Sequence, residues 1–359
     1  MKPKMKLLLT TLLSILVLSS CKNSKQVLTA DKQGFSLGAD ISWITELESR
    51  GTTFATAEGE VMECTKLMKH LGLDAIRLRV WVNPRNEFSS AADVLKKAQR
   101  AKANGMDIMI DFHYSDTWAD PGKQFIPKAW ESHSYEEMLN DVSEHTTAVL
   151  QLLKKNGIEP RWVQVGNETS NGLLWPMGKI GEQPEHYAGF ISVGCKAVKR
   201  VFPRALTIVH LDNGFDRDLY EYNLGVLLKN KVDYDVVGMS LYPLAAVEWH
   251  PTKVSSAEDA VKKCIANIKY MYEWLGKPTI ITEVGVKVTD PEGGKRILSS
   301  VIQGAKKDTE GHCLGVFYWE PDAAVGYNGG YDMGAFVSDG KVNKPTIIMD
   351  AFQKMKNEE

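Results

Sequence analysis

The stretch Val163-Gln164-Val165-Gly166-Asn167-Glu168 alternates apolar and polar side chains, breaks on a glycine, and ends on an amide and a carboxylate. Alternation marks a strand with two different faces. A strand built only for a packed interior has no use for a terminal carboxylate, so this end should open on a pocket. The same design recurs along the chain. Short apolar segments lie at 37–42, 74–81, 106–113, 161–167, 205–211, 234–241, 278–283 and 313–320. Helical patterns fill the gaps at 57–71, 89–104, 134–156, 184–201, 216–230, 255–275 and 292–305, with a last one near 345–356. Segment 89–104 opens on serine caps and stops at Asn104-Gly105.

Strict strand-then-helix order implies a parallel sheet with right-handed crossovers. Eight such units after residue 35 predict an α/β fold, a single (β/α)8 TIM barrel, in place of a doubly wound sheet. No linker, repeat or low-complexity tract interrupts the series, so residues 35–359 read as one domain.

Composition narrows the function. Of the 359 residues, 43% are apolar and 25% charged, which is globular usage. The 43 basic and 45 acidic side chains nearly cancel, which excludes the basic field of a nucleic-acid binder. Residues 1–20 carry three lysines, an apolar run and small residues, the pattern of a secretory signal. Leu18-Ser19-Ser20-Cys21 resembles the lipobox of bacterial lipoproteins, which implies that Cys21 becomes a lipidated first residue. The alternative is an ordinary signal peptide with a chance cysteine. Residues 21–34 would then tether lipid to domain. The expectation is an exported lipoprotein of the cell envelope, touching membrane through its lipid anchor only; Lys22 favours the outer membrane. Cys64, Cys195, Cys264 and Cys313 show no metal or redox spacing and are expected as buried free thiols.

In a (β/α)8 barrel, chemistry sits where strands end and βα-loops begin. The strand ends read Asp40, Arg79 with Trp81, Asp111 with His113, Asn167-Glu168, His210 with Asp212-Asn213, Tyr242, Glu283, and Trp319-Glu320. Glu168 closes the fourth strand and Glu283 the seventh, on opposite sides of the mouth. Paired carboxylates across a cleft suit glycoside hydrolysis, one protonated and one ionised. Asn167 is placed to hold a sugar hydroxyl, and Arg79 to keep a carboxylate charged. Each group also has a plainer reading. A glutamate at a strand end is commonly an ion-pair partner, and Arg77 and Arg79, alternating with Ile76 and Leu78, would equally suit an arginine–carboxylate network inside a barrel. His113 with Asp111, Asp116 and Asp120 crowds one loop, but the spacing matches neither an EF-hand nor HExxH, so no metal is expected. No GxGxxG or P-loop is present, so no nucleotide cofactor is expected. The glycine-rich segment 329–336 lacks a strand–helix context and reads as a cleft loop.

The residues "DFHYSDTWADPGKQ" at 111–124, "VQVGNE" at 163–168 with "NGLLWPMG" at 171–178, "RVWVNP" at 79–84 and "GVFYWEP" at 315–321 resemble glycoside hydrolase family 53. The resemblance runs from about residue 35 to 355. It implies an endo-acting, retaining hydrolase of β-1,4-galactan that uses no cofactor and is expected to be a monomer. It implies Glu168 as acid/base, Glu283 as nucleophile, Asn167 at the sugar 2-position, and Arg79 with Tyr242 supporting the nucleophile. Trp319 would form the floor, while Asp111, His113, Tyr114 and Trp118 would line the cleft. Asp40 and Asn213, as polar strand ends, join them as candidate substrate contacts. Some bacterial members carry a calcium site in a long insertion before the last strand; here only about thirty residues separate Glu283 from Cys313. Two rivals remain: a mannanase, xylanase or glucanase of the same clan, and a lipoprotein that binds glycan without cutting it.

Overall fold

The computed structural model describes Thr29 and residues 34–356. The signal segment, Cys21 and nearly all of the tether lie outside the described residues. Eight parallel strands close into a barrel in chain order: β1 Ser36–Asp40, β2 Ala75–Val80, β3 Asp107–Phe112, β4 Trp162–Val165, β5 Leu206–Leu211, β6 Val236–Leu241, β7 Thr279–Val284 and β8 Cys313–Trp319. The seam is β8 against β1, with Ser36 opposite Gly315 and Asp40 opposite Trp319. The outer helices are α1 Cys64–His70, α2 Ala91–Ala103, α3 Tyr135–Lys155, α4 Pro184–Val201, α5 Arg217–Lys229, α6 Ala257–Leu275, α7 Pro291–Lys307 and α8 Asp350–Lys356. None of the described helices is long and apolar enough to cross a membrane.

Period-two alternation builds two cores. Outward residues such as Ile76, Leu78, Val163 and Val165 join the large core between sheet and helices. Inward residues near the strand starts, among them Ala75, Met109, Trp162, Ile280 and Phe317, form a smaller plug inside the barrel. Gly38 belongs to this plug by omission: a Cβ there would stand 2.3 Å from the Phe317 ring. Above the plug the inward positions turn polar, giving Asp40, Arg77, Asp111, Gln164, His210, Ser240 and Glu283, all buried. So the apolar plug carries stability and the polar layer above it carries the site.

Two helix starts differ most from the sequence reading. α1 begins at Cys64 because Glu63 caps it, accepting from the Thr65 and Lys66 amides, both at 2.9 Å. The chain before it is drawn into a small sheet, where Thr53–Phe54 pairs with Val342–Pro345. α8 begins only at Asp350, after a single 3-10 turn at Ile347–Met349. The four cysteines are free and buried, as expected.

Candidate active site

A cleft with a cavity of about 950 Å³ opens at the C-terminal mouth of the barrel, and both Glu168 and Glu283 line it. Its floor and walls include Trp118, His113, Tyr242, Trp319 and Tyr331. Each carboxylate reaches the cleft by a different device.

Glu168 gets there by leaving the sheet. β4 stops at Val165, and Gly166 turns at φ +84°, where a Cβ would meet Thr169 Cγ2 at 2.5 Å. Glu168 itself is left-handed, at φ 44° and ψ 55°, a conformation that costs a non-glycine residue roughly 1–2 kcal/mol. Three contacts hold it there. The Glu168 N–H donates to His210 Nδ1 at 3.3 Å, and the Gln124 amide donates to the carbonyls of Asn167 at 2.9 Å and Glu168 at 3.4 Å. His210 Nδ1 is therefore an acceptor. The ring's proton sits on Nε2 and is donated to Ser240 Oγ at 2.8 Å, and Ser240 in turn hydrogen-bonds the Glu168 carboxyl. Burial, helped by Arg77, keeps His210 neutral by pushing its pKa well down.

Glu283 stays in its strand and is gripped. Arg77 Nη2 lies 2.9 Å from Oε1, and the Tyr242 hydroxyl donates to Oε2 at 2.8 Å. Burial pushes its carboxyl up to about 7, with Arg77 and Tyr242 pulling the other way. Among the described residues no cation forms an ion pair with Glu168. Burial, then the charge of Glu283, then that of Asp212, push it well above the usual carboxylate range. Of the two, Glu283 gives up its proton first.

Arg77 organises the polar layer. It meets Asp40 at 2.8 Å and Asp111 at 2.9 Å besides Glu283, and donates to Asn167 Oδ1 at 2.8 Å. Burial alone would raise Asp111; Arg77 and His113 outweigh it and hold the carboxyl below the ordinary range. His113 Nδ1 accepts from Trp81 Nε1 and from the Ala119 N–H, both at 3.2 Å, so its Nε2–H donates to Asp111 at 2.9 Å.

The structure brings Glu168, Glu283, Asn167, Asn213, His113, Trp118, Tyr242 and Trp319 to the cleft wall. It places the other four sequence candidates behind that wall. Arg79 does not touch Glu283: it pairs with Glu320 at 3.0 Å and lies 4.2 Å over the Trp118 ring. Arg77, two residues earlier on the same inward face, takes the expected role. Asp40 and Asp111 are wholly buried ligands of Arg77. Tyr114 has left the barrel, stacking on Phe112 and hydrogen-bonding Thr146 Oγ1 at 2.7 Å. Asn167 lines the cleft, but its amide nitrogen is committed to the Ala119 carbonyl at 2.8 Å.

Five residues absent from the sequence candidates complete the site. Arg77, Gln124 and Ser240 are described above. Trp43 packs edge-on against Trp118 and tilted against Trp319, at 5.8 and 5.2 Å. Tyr331 donates to the Trp319 carbonyl at 2.6 Å, so the 329–336 loop does border the cleft. Three of the five had a sequence signal: Gln124 closes the 111–124 motif, Arg77 was read with Arg79 as suited to an arginine–carboxylate network, and Tyr331 lies in the segment read as a cleft loop.

Comparison with known proteins agrees with this geometry. The chain is 33% identical over 317 residues to the endo-β-1,4-galactanase of Bacillus subtilis, covering 80% of this chain and 70% of that one. It is 30% identical over 318 residues to arabinogalactan endo-β-1,4-galactanase A of Aspergillus niger, covering 80% and 87%. A solved structure of fungal β-1,4-galactanases superposes with TM-score 0.79 at 26% identity, over 89% of this chain and 99% of that one. The family 53 catalytic domain of Ignisphaera aggregans gives 0.77 at 26% identity, over 89% and 95%. The model of glycosyl hydrolase family 53 matches residues 36–352. With the match spanning the whole barrel, the chain belongs to glycosyl hydrolase family 53.

Proposed function

We propose that this protein is an endo-acting, retaining hydrolase of β-1,4-galactan, with Glu283 as nucleophile and Glu168 as acid/base. One observation carries the assignment: Arg77 and Tyr242 both hold Glu283, while among the described residues no cation pairs with Glu168. The ionised member attacks and the protonated member donates.

In the first step a Glu283 carboxylate oxygen attacks the anomeric carbon as the glycosidic bond breaks. The Glu168 proton goes to the departing oxygen, leaving a glycosyl ester on Glu283. Esterification removes the negative charge that had raised Glu168. Its pKa falls, and the new carboxylate can take a proton from water. That water attacks the anomeric carbon, the ester bond breaks, and both residues return to their starting states. Trp319 and Trp118 offer apolar faces to the sugar rings.

The substrate follows from the named activities of the Bacillus and Aspergillus relatives. Proton NMR of early products from linear galactan, with chromatographic sizing, tests the proposal. A β-anomer among intermediate oligomers is expected. An initial α-anomer would refute retention, galactose alone would refute internal cutting, and inert galactan beside cleaved mannan, xylan or glucan would refute the substrate.

The proposal extends to an exported monomer anchored through Cys21. Labelled palmitate should be incorporated by the full-length chain and not by Cys21→Ser. Light scattering of the chain without residues 1–21 should return the mass of a single copy and not a multiple of it.

A further inference from the structure

Glu168 must face the leaving group, because it protonates the leaving oxygen. Asn171, Asn213, Trp249 and His250 line the same cleft, and contacts tie them to the Glu168 side. Ser170, two residues on, hydrogen-bonds Asp212, the Asn213 amide donates to Asp212 at 2.6 Å, and the His250 ring packs on Phe215. Trp249 closes the short helix Pro243–Trp249 and is 60% exposed. It is the one tryptophan among the exposed large apolar residues described. Trp43, Trp130 and Trp162, by contrast, are buried. An indole left in water on a cleft wall forgoes the burial that indoles usually supply, and it carries a flat apolar face to offer a ligand.

Its position is fixed by the reaction centre. The helix starts directly after Tyr242, the residue that grips Glu283. Seven residues of helix advance the chain by about 10 Å, more than the length of one sugar ring. The far end is anchored as well. The His250 N–H donates to the Ala246 carbonyl at 2.8 Å, the His250 carbonyl accepts from Lys253 at 2.9 Å and Val254 at 3.1 Å, and its ring packs 5.6 Å from Phe215. A platform held this way loses little freedom on binding.

We propose that Trp249 is the stacking platform of an outer leaving-group subsite, holding a galactosyl unit beyond the one next to the cleaved bond. This inference rests on the galactanase reading above. The subsite binds a chain long enough to reach it and ignores a substrate whose leaving group is a single aryl ring.

The test is a ratio: kcat/KM on linear galactan divided by kcat/KM on an aryl β-galactobioside. In Trp249→Ala that ratio should fall about tenfold, the scale of one lost aromatic stacking contact. Trp249→Phe should recover most of it. Tyr222→Ala, which removes an exposed aromatic on α5 outside the cleft, should leave the ratio at the wild-type value. An unchanged ratio in Trp249→Ala, an equal loss on both substrates, or a Trp249→Phe variant as impaired as the alanine would overturn the proposal. Failure of the wild type to cut galactan would instead remove the reading on which it rests.

Discussion

Removing the Tyr242 hydroxyl tests the division of labour between the two carboxylates. Tyr242→Phe deletes one hydrogen bond, 2.8 Å long, to Glu283 Oε2, and leaves Arg77 on Oε1 at 2.9 Å. The ring itself stays in place, since its Cε1 fills the space beside Gly285 where a Cβ would come within 2.9 Å. A hydrogen bond to a charged group contributes about 1.5–3 kcal/mol. That bond favours the ionised form, so losing it raises the Glu283 pKa, by about 1–2 units at 1.36 kcal/mol per unit. The nucleophile must be ionised, so the acid limb of the kcat/KM profile should move to higher pH by that amount. Below the limb, the rate at fixed pH should fall about 10- to 100-fold. Parallel pH profiles on linear galactan, with melting temperatures to check folding, give the answer. An acid limb that stays put while the profile merely scales down would refute the claim that Tyr242 works through Glu283 ionisation. A limb that moves to lower pH would reverse its sign.

Glu168→Ala should cost far more on galactan than on an aryl β-galactoside with a good leaving group, because only the sugar oxygen needs a proton to depart; equal losses on both substrates would remove the acid role. Gly166→Ala places a Cβ 2.5 Å from Thr169 Cγ2 at φ +84°, so turnover should drop at least tenfold as the Glu168 turn shifts, read against an unchanged far-ultraviolet dichroism spectrum. Asp322 is wholly buried, and neither carboxyl oxygen has a hydrogen bond from another residue. Burial pushes its pKa from 3.8 up to about 7. The folded state therefore holds the proton more tightly than the unfolded chain, and its stability falls as pH rises from about 4 through 7. Asp322→Asn should match wild type near pH 4 and exceed it by up to about 4 kcal/mol at pH 8. Denaturant midpoints at the two pH values measure this, and a gap independent of pH would count against it.

The barrel was legible because its signal is local. Val163 and Val165 against Gln164 already state which side of β4 meets helices and which meets the interior. Glu168 and Glu283 were legible as carboxylates at strand ends. What failed depends on height and register across the barrel, which no single segment encodes. Arg77 and Arg79 share a face and sit about 6.5 Å apart along β2. Which of them reaches β7 depends on the stagger of strands drawn from far along the chain. Tyr114 was misplaced for a different reason: it entered as part of the 111–124 motif, whereas alternation after inward Asp111 and His113 already puts it on the outward face with Phe112, on which it stacks. The start of α1 was obscured by a partner nearly 300 residues away, the strand Val342–Pro345 that claims Thr53–Phe54.

The charges inside the mouth do not balance, and the imbalance has a use. One cation, Arg77, serves Asp40, Asp111 and Glu283. Both nearby histidines are neutral, their pKa values pushed down chiefly by burial. With Glu168 ionised as well, the mouth would set the three carboxylates around Arg77, Glu168 and the neighbouring Asp212 against that one guanidinium. Under the proposed assignment the proton stays on Glu168, the carboxyl for which the described residues give no ion pair and which burial and neighbouring charges push up. Glycoside cleavage passes through an oxocarbenium-like state with positive charge at the anomeric carbon. A site short of positive charge before substrate arrives is already oriented to stabilise that charge, with no side chain having to move as it forms. The buried network under Glu283 thus does two things at once. Under the proposed assignment, it favours ionisation of Glu283 over Glu168, and it leaves the mouth with a negative field that the transition state, far more than the neutral sugar, can answer.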